Sequence, residues 1–250
     1  MTKKRRSRIR YYYLICKYKI QYKRSNPLYN KGIHIIEAPA GTGKTLLANM
    51  IVQKIVDPGS YMYCNIAEFD TQKVITIDIN TMFCDGEQRY KLDTHLDGKR
   101  CKGLIIDEIN ANFNRRLNNR KLYNDVFVGL MEFVVTARHQ GIERIYFIGQ
   151  DLSLQDGQLQ QVIKYRHLVY ANKKYNYELY KDTGNIALLP KRLKIIHQIK
   201  QSGKDPRGMP IFTTFKVSKM DVDYDKHIKT YNHKGYADKY NTLPILPIKS

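Results

Sequence analysis

The stretch EAPAGTGKTLLANM, Glu37 to Met50, decides the fold. Gly43-Lys44-Thr45 closes the pattern G-x-x-x-x-G-K-[ST], with Ala38 standing where that pattern has its first glycine. A methyl group is tolerated there if the local φ is negative. The loop follows a short apolar run, Ile33-His34-Ile35-Ile36, that reads as a buried strand. It leads into a helical segment, 44–56, that ends at Asp57-Pro58-Gly59. Strand, glycine loop and helix in this order make a cradle for phosphate, because backbone N–H groups converge at a helix N-terminus where the helix dipole adds attraction. Lys44 would reach the β- and γ-phosphates of a nucleotide, and Thr45 would ligand Mg²⁺.

Working outward, the next informative stretch is GLIIDE, residues 103–108, a buried strand closing on two acids. An acid at the carboxyl end of a parallel strand can hold a metal and its water shell, and the next acid can polarise an attacking water. Asp107 takes the metal role and Glu108 the general-base role. The plainer alternative is a strand that ends at a solvated acidic turn. Gln150, closing the strand RIYFIGQ, stands where an amide can sense the γ-phosphate, though an amide also simply ends strands. Arg138, in TARHQG, is the best arginine to complete a neighbouring subunit's site, with Arg115 and Arg116 behind it. Arg138 and His139 before Gly141 equally make an ordinary helix C-terminus.

Between about 31 and 175 short apolar runs alternate with helical segments. YMYCNI (61–66) and KVITIDI (73–79) read as further strands. KLYNDVFVGLMEFVVTARH (121–139) reads as the longest helix, with Val126, Phe127, Leu130, Met131, Val134 and Val135 along one side. The fold class is therefore α/β, a mostly parallel sheet with helices on both faces. Three regions follow: a basic, Tyr-rich arm over 1–30, a P-loop domain over 31–175, and a C-terminal extension over 176–250. In the extension YNYELY and IALL, joined by Asp182-Thr183-Gly184-Asn185, are expected to form a β-hairpin. The last fifty or so residues are expected to pack as irregular pieces, or to order only on a partner.

The 250 residues carry 43 Lys/Arg against 23 Asp/Glu, a net charge of +20, and ten of the basic residues fall in the first 24. Such asymmetry suits a polyanion, nucleic acid or an acidic membrane surface, with a solubilising tail as the alternative. Cys16, Tyr18, Ile20 and Tyr22 alternate with Lys17, Lys19, Gln21 and Lys23, which fits a half-buried or edge strand or a segment bound to single-stranded nucleic acid. Tyr11, Tyr12, Tyr13, Tyr18 and Tyr22 are the tyrosines to test for binding. Cys16, Cys64, Cys84 and Cys101 show neither zinc nor disulfide spacing, so a reducing compartment is expected. The longest apolar run falls far short of the roughly 18 residues needed to span a bilayer. The expected location is the cytoplasm, or a peripheral position at a membrane or an assembling virion.

The order APAGTGKT, YCNI, LIIDE, TARHQG and FIGQD resembles the N-terminal domain of the zonular occludens toxin family. That family includes filamentous-phage assembly ATPases and belongs with the FtsK/HerA-like DNA-pumping ATPases. The resemblance covers roughly 31–175. It implies a RecA-like core with ATP held by Ala40, Gly41, Thr42, Gly43, Lys44 and Thr45. It matches Asp107 and Glu108 to the family's acidic pair, Gln150 to its polar strand end, and Arg138 to its RH-x-G element. It also implies a ring oligomer. Phage assembly members usually carry a transmembrane helix after this domain; none is visible here, so either a membrane or capsid partner supplies that link or the chain is a soluble genome-packaging or DNA-translocating motor. The leading expectation is an ATP-hydrolysing motor on DNA for viral genome packaging or virion assembly and export. A nucleotide-gated scaffold with little turnover, and a nucleoside or nucleotide kinase, are the alternatives.

Overall fold

The computed structural model describes residues 25–66, 72–79, 93–109, 121–137, 139–175 and 188–223, with single positions at 13, 177, 180, 181 and 184. The strand expected over 16–22, the tyrosines of the arm other than Tyr13, and the chain beyond 223 lie outside the described residues.

Nine strands among the described residues build one sheet. In chain order they are β1 (Gly32–Glu37), β2 (Ser60–Cys64), β3 (Val74–Thr76), β4 (His95–Leu96), β5 (Lys99–Ile106), β6 (Arg144–Gly149), β7 (Tyr165–Tyr175), β8 (Leu188–Lys204) and β9 (Pro210–Asp221). Their spatial order is β3-β2-β5-β6-β1-β7-β8-β9, with β4 pairing antiparallel to β5. From β3 to β7 every neighbour on this path is parallel, whereas β8 and β9 are antiparallel additions. Among the described residues the α-helices are α1 (Lys44–Ile55), α2 (Lys121–Thr136) and α3 (Gly157–Val162). The α/β, mostly parallel expectation holds.

Successive strand residues point to opposite faces, which sorts the apolar runs into two layers. Ile36, Met62, Ile105 and Ile148 pack with Leu46, Leu47 and Ile51 of α1 on one face. Ile35, Leu104, Ile106 and Phe147 pack with Val126, Leu130, Phe133 and Val134 of α2 on the other. Each such side chain contributes roughly 1.5–3 kcal/mol on burial. Val135, expected on the buried stripe of α2, is 65% exposed, and Phe133 takes the core position instead. The stripe 126, 130, 133, 134, 137 follows the 3.6-residue period and turns Val135 outward. At Gly103 the backbone passes so close to β6 that a Cβ would lie 2.5 Å from the Arg144 carbonyl oxygen. The β2–β5 register shifts between Tyr61 and Met62, next to this contact.

The extension departs from expectation. The described residues of YNYELY, Tyr177 and Tyr180, are helical, and the antiparallel partners are β7 and β8. The tail to Asp221 is regular strand rather than irregular pieces. The β8–β9 turn lies at Asp205-Pro206-Arg207-Gly208, where the Asp205 carboxylate accepts from the N–H groups of Arg207 (2.9 Å) and Met209 (2.8 Å) and Gly208 has φ 78°. Asp, Pro and Gly at these positions are ordinary turn chemistry, a signal present in the sequence. The expected division at 175/176 falls between β7 and β8, which are hydrogen-bonded neighbours.

A buried chain of imidazoles joins the outer strands to β1. His34 Nε2 bonds the Asn30 carbonyl oxygen (2.9 Å), His34 Nδ1 meets His167 Nε2 (2.9 Å), His167 Nδ1 meets His197 Nδ1 (2.9 Å), and His197 Nε2 meets the Ser218 hydroxyl (2.7 Å). A carbonyl only accepts, so His34 Nε2 carries a proton; burial keeps each ring neutral, and with neutral rings each following contact is assigned in turn. Ser218 donates to His197, His197 to His167, His167 to His34, and His34 to Asn30, with every ring neutral. His34 also stacks between Tyr146 and Tyr165, at centroid distances of 4.7 and 4.9 Å.

Candidate nucleotide-binding site

The loop opens where β1 ends. The Ala38 N–H donates to the Gly149 carbonyl oxygen (3.2 Å), tying the loop's start to the end of β6. Gly41 at φ 66° and Gly43 at φ 97° take left-handed conformations that residues with a Cβ avoid. At Gly43 a Cβ would also lie 3.0 Å from Pro190 Cγ, so β8 closes one side of the turn. The first bond of α1 runs from the Leu47 N–H to the Gly43 carbonyl oxygen (2.9 Å), and no side chain caps the helix. Its first N–H groups therefore face the loop.

Lys44 is buried, with its ammonium donating to the carbonyl oxygens of Ala38 (3.1 Å) and Pro39 (3.4 Å). The Thr45 hydroxyl donates to Asp107 Oδ2 (3.2 Å), joining the start of α1 to the end of β5. Burial pushes the Asp107 carboxyl up, and the charge of Glu108 adds to this. The Glu108 N–H, the Thr45 hydroxyl and Lys44 pull the other way. Asn65 holds the Asp107 backbone from both sides: its amide donates to the Asp107 carbonyl oxygen (3.1 Å) and accepts from the Asp107 N–H (2.7 Å). Glu108 has φ 54°, a left-handed conformation that costs a residue with a Cβ on the order of 1–3 kcal/mol. Its N–H donates to Asp107 Oδ1 (2.8 Å), and the residue is exposed just past the strand.

Strand β6 lies between β1 and β5, so Gln150, exposed directly after it, stands between the loop strand and the acid strand. Lys44, Thr45 and Asp107 are brought together, and Glu108 and Gln150 follow the ends of adjacent strands. All five lie at the carboxyl edge of the parallel sheet, where ligands bind in open α/β folds. The chain has the fold of a P-loop NTPase. Arg138, Arg115 and Arg116 lie outside the described residues. A cleft of about 570 Å³, lined by Gln161, Lys164, Lys200 and Pro210, holds none of the loop or acid groups and sits at the opposite end of the strands.

The donor set suits Mg²⁺, a hard cation that takes oxygen ligands and keeps several waters. Asp107 and Thr45 supply a carboxylate and a hydroxyl side by side, and no cation forms an ion pair with Asp107 among the described residues.

One further group at this edge was not legible in the sequence. Glu37, 4% exposed, accepts a fork from Arg166 of β7 (2.6 and 2.9 Å) and a bond from the Leu152 N–H (3.2 Å). This carboxylate fixes the residue before the loop to β7 and to the segment after β6. An acid closing an apolar strand was visible in IHIIE, but not its partner.

No protein-family profile matches the chain. It is 26% identical over 234 residues to an uncharacterized 37.2 kDa protein of Acholeplasma phage L2, spanning 88% of this chain and 72% of that protein. Among solved structures it is similar to the N-terminal domain of zonular occludens toxin from Neisseria meningitidis, at 16% identity and a TM-score of 0.45, covering 81% of this chain and all of that domain. It is also similar to the genome-packaging NTPase B204 of Sulfolobus turreted icosahedral virus 2, solved with ATP-gammaS, at 14% identity and a TM-score of 0.36, covering 77% of this chain and 98% of that one. No helix among the described residues is long and apolar enough to cross a membrane.

Proposed function

We propose that this chain is an ATP-hydrolysing motor that moves DNA in viral genome packaging or virion assembly and export. The observation that carries the enzymatic part is the Thr45 hydroxyl on the Asp107 carboxylate at 3.2 Å, which closes the glycine loop onto an acid strand. The excess of basic charge supports a nucleic-acid substrate, and the phage relative supports a viral setting.

In this mechanism the N–H groups of Ala40 to Thr45 cradle the phosphates, and Lys44 exchanges the Ala38 and Pro39 carbonyls for β- and γ-phosphate oxygens. Thr45 and Asp107 would hold the Mg²⁺ that comes with the nucleotide, and it would supply charge neutralisation at the phosphates. Asn65 keeps Asp107 in place through its backbone. Glu108 accepts a proton from the attacking water, and Gln150 senses the γ-phosphate. Arg138 completes the site of a neighbouring subunit in a ring, and a membrane or capsid partner anchors the motor.

The test is steady-state ATP hydrolysis by the full chain with and without single- and double-stranded DNA. Stimulation by DNA is expected, with Lys44→Ala abolishing nucleotide binding. Glu108→Gln is expected to lower kcat by about 10²- to 10⁴-fold while nucleotide still binds. Slow hydrolysis indifferent to DNA, unchanged in Glu108→Gln, would overturn the motor and leave a nucleotide-gated scaffold.

A further inference from the structure

The basic charge of this protein is not spread over the nucleotide domain. Residues 25–163, which hold the phosphate loop, the acid strand and Gln150, carry 15 Lys/Arg and 16 Asp/Glu. Residues 164–223, essentially β7, β8 and β9, carry 13 Lys/Arg against 5 Asp/Glu. Outside the arm, most of the basic excess therefore lies in residues 164–223.

Among the described residues those strands have one buried and one open face. Val169, Leu193, Ile195, His167 and His197 point to the α1 side and are buried. The opposite face carries three cross-strand rows set by the register: Leu168, Ile196 and Val217; Tyr170, Lys194 and Lys219; Asn172, Arg192 and Asp221. None of the apolar members of these rows belongs to either core cluster. Tyr170 is 50% exposed and Val217 50%, while Lys194 and Lys219 are exposed and form no ion pair among the described residues. Arg192 is paired with Asp221 (2.6 Å), so this one acid on the face already has its cation. What stands open is an aromatic ring in line with two unpaired ammonium groups on adjacent strands.

We propose that this open face of β7, β8 and β9 binds single-stranded nucleic acid, with a base stacked on Tyr170 and phosphates on Lys194 and Lys219. A half-exposed tyrosine offers a π-face to any base, and neighbouring cations track the backbone without reading sequence. The face adjoins the nucleotide edge: Leu168 pairs with Glu37, the last residue before the loop, and the Tyr170 row lies two residues, roughly 7 Å, further along the strand. Arg166, on the same face of β7, makes the fork to Glu37. A strand lying on Tyr170 is thus one fork away from the residue that opens the phosphate loop. This placement rests on the DNA-handling function proposed above.

The experiment is fluorescence anisotropy of the full chain with a labelled oligo-dT and a duplex of equal length, over a series of salt concentrations. It compares wild type with Tyr170→Ala, Tyr170→Phe and the pair Lys194→Gln/Lys219→Gln. Unchanged urea midpoints show that these surface variants fold. Tyr170→Ala is expected to weaken oligo-dT binding about 5- to 150-fold, with Tyr170→Phe retaining it. The double glutamine variant is expected to reduce the salt slope by about 1.4, at roughly 0.7 per phosphate on a single strand. Wild-type binding of oligo-dT that none of the substitutions alters by more than twofold overturns the face and leaves the motor standing. Duplex binding that outlasts Tyr170→Ala, with no oligo-dT binding, also overturns it, as does a change of oligomeric mass in place of a change in binding. Oligo-dT binding lost in the variants without any stimulation of hydrolysis upholds the face and overturns the motor. A wild-type chain that binds no nucleic acid overturns both.

Discussion

Acidification should unfold this protein through its histidine chain. Each imidazole of His34, His167 and His197 is fully buried, and each hydrogen bond of the chain uses a neutral ring. A proton added to His34 would place a charge in a fully buried site and force the tautomers of His167 and His197 to reverse. Burial holds His34 down to about 3, with Arg144, His197 and Lys164 adding to the effect and the Asn30 carbonyl opposing it. Burial and the charge of Lys216 hold His197 down to about 4. His167 lies well below its ordinary value through burial and its two neighbours. The unfolded chain, titrating near 6.5, takes up these protons while the folded chain does not, so stability falls as pH drops from about 6.5 toward about 4 and is level above about 7. The loss per histidine is near zero at pH 7.5, about 1 kcal/mol at pH 6 and about 2 kcal/mol at pH 5. Three histidines lose about 6 kcal/mol by pH 5, within the usual total of about 5–15. The carboxyls held low, Asp57, Glu143 and Asp221, lose their contribution only as pH falls below their ordinary values, and the raised Asp107 acts in the opposite sense. Urea midpoints at pH 7.5, 6.0 and 5.0 measure the effect: with a slope near 3 kcal/mol per molar, the expected shift is about 2 M. A midpoint that is level between pH 7.5 and 5.0 would refute the neutral-chain assignment.

Three further outcomes follow from single contacts. Arg166→Ala should cost about 3–5 kcal/mol, because it strands the Glu37 carboxylate in a buried position; urea unfolding at pH 7.5 measures it, and Glu37→Gln/Arg166→Met should recover most of the loss. Gly103→Ala should destabilise by about 1–3 kcal/mol or more, since its Cβ would meet the Arg144 carbonyl at 2.5 Å; a thermal melt within a degree of wild type would contradict this. Asn65→Ala should cost roughly 1–3 kcal/mol and raise the Mg²⁺ concentration needed for half-maximal hydrolysis, because the Asp107 backbone loses both of its amide bonds; an unchanged Mg²⁺ dependence would remove Asn65 from the site.

What the sequence determined by itself is local. EAPAGTGKT marks strand, turn and helix because glycine, lysine and threonine at fixed spacing have a local conformational meaning, and GLIIDE marks a buried strand with an acidic end for the same reason. Both lie where their patterns put them. Tyr177 and Tyr180 are helical although YNYELY has strand composition, and the turn between β8 and β9 forms at Asp205-Pro206-Arg207-Gly208. Only the tertiary structure decided which distant residues meet. That β6 separates the loop strand from the acid strand, that Glu37 finds Arg166, that Asn65 holds Asp107, and that three histidines far apart in the chain line up, are matters of strand order and register. Periodicity assigns a residue to a face, but a slip of one position in pairing would send every side chain of a strand to the other face. The open Tyr170–Lys194–Lys219 row exists for that reason: composition makes the strands basic, and pairing aligns the charges beside the ring.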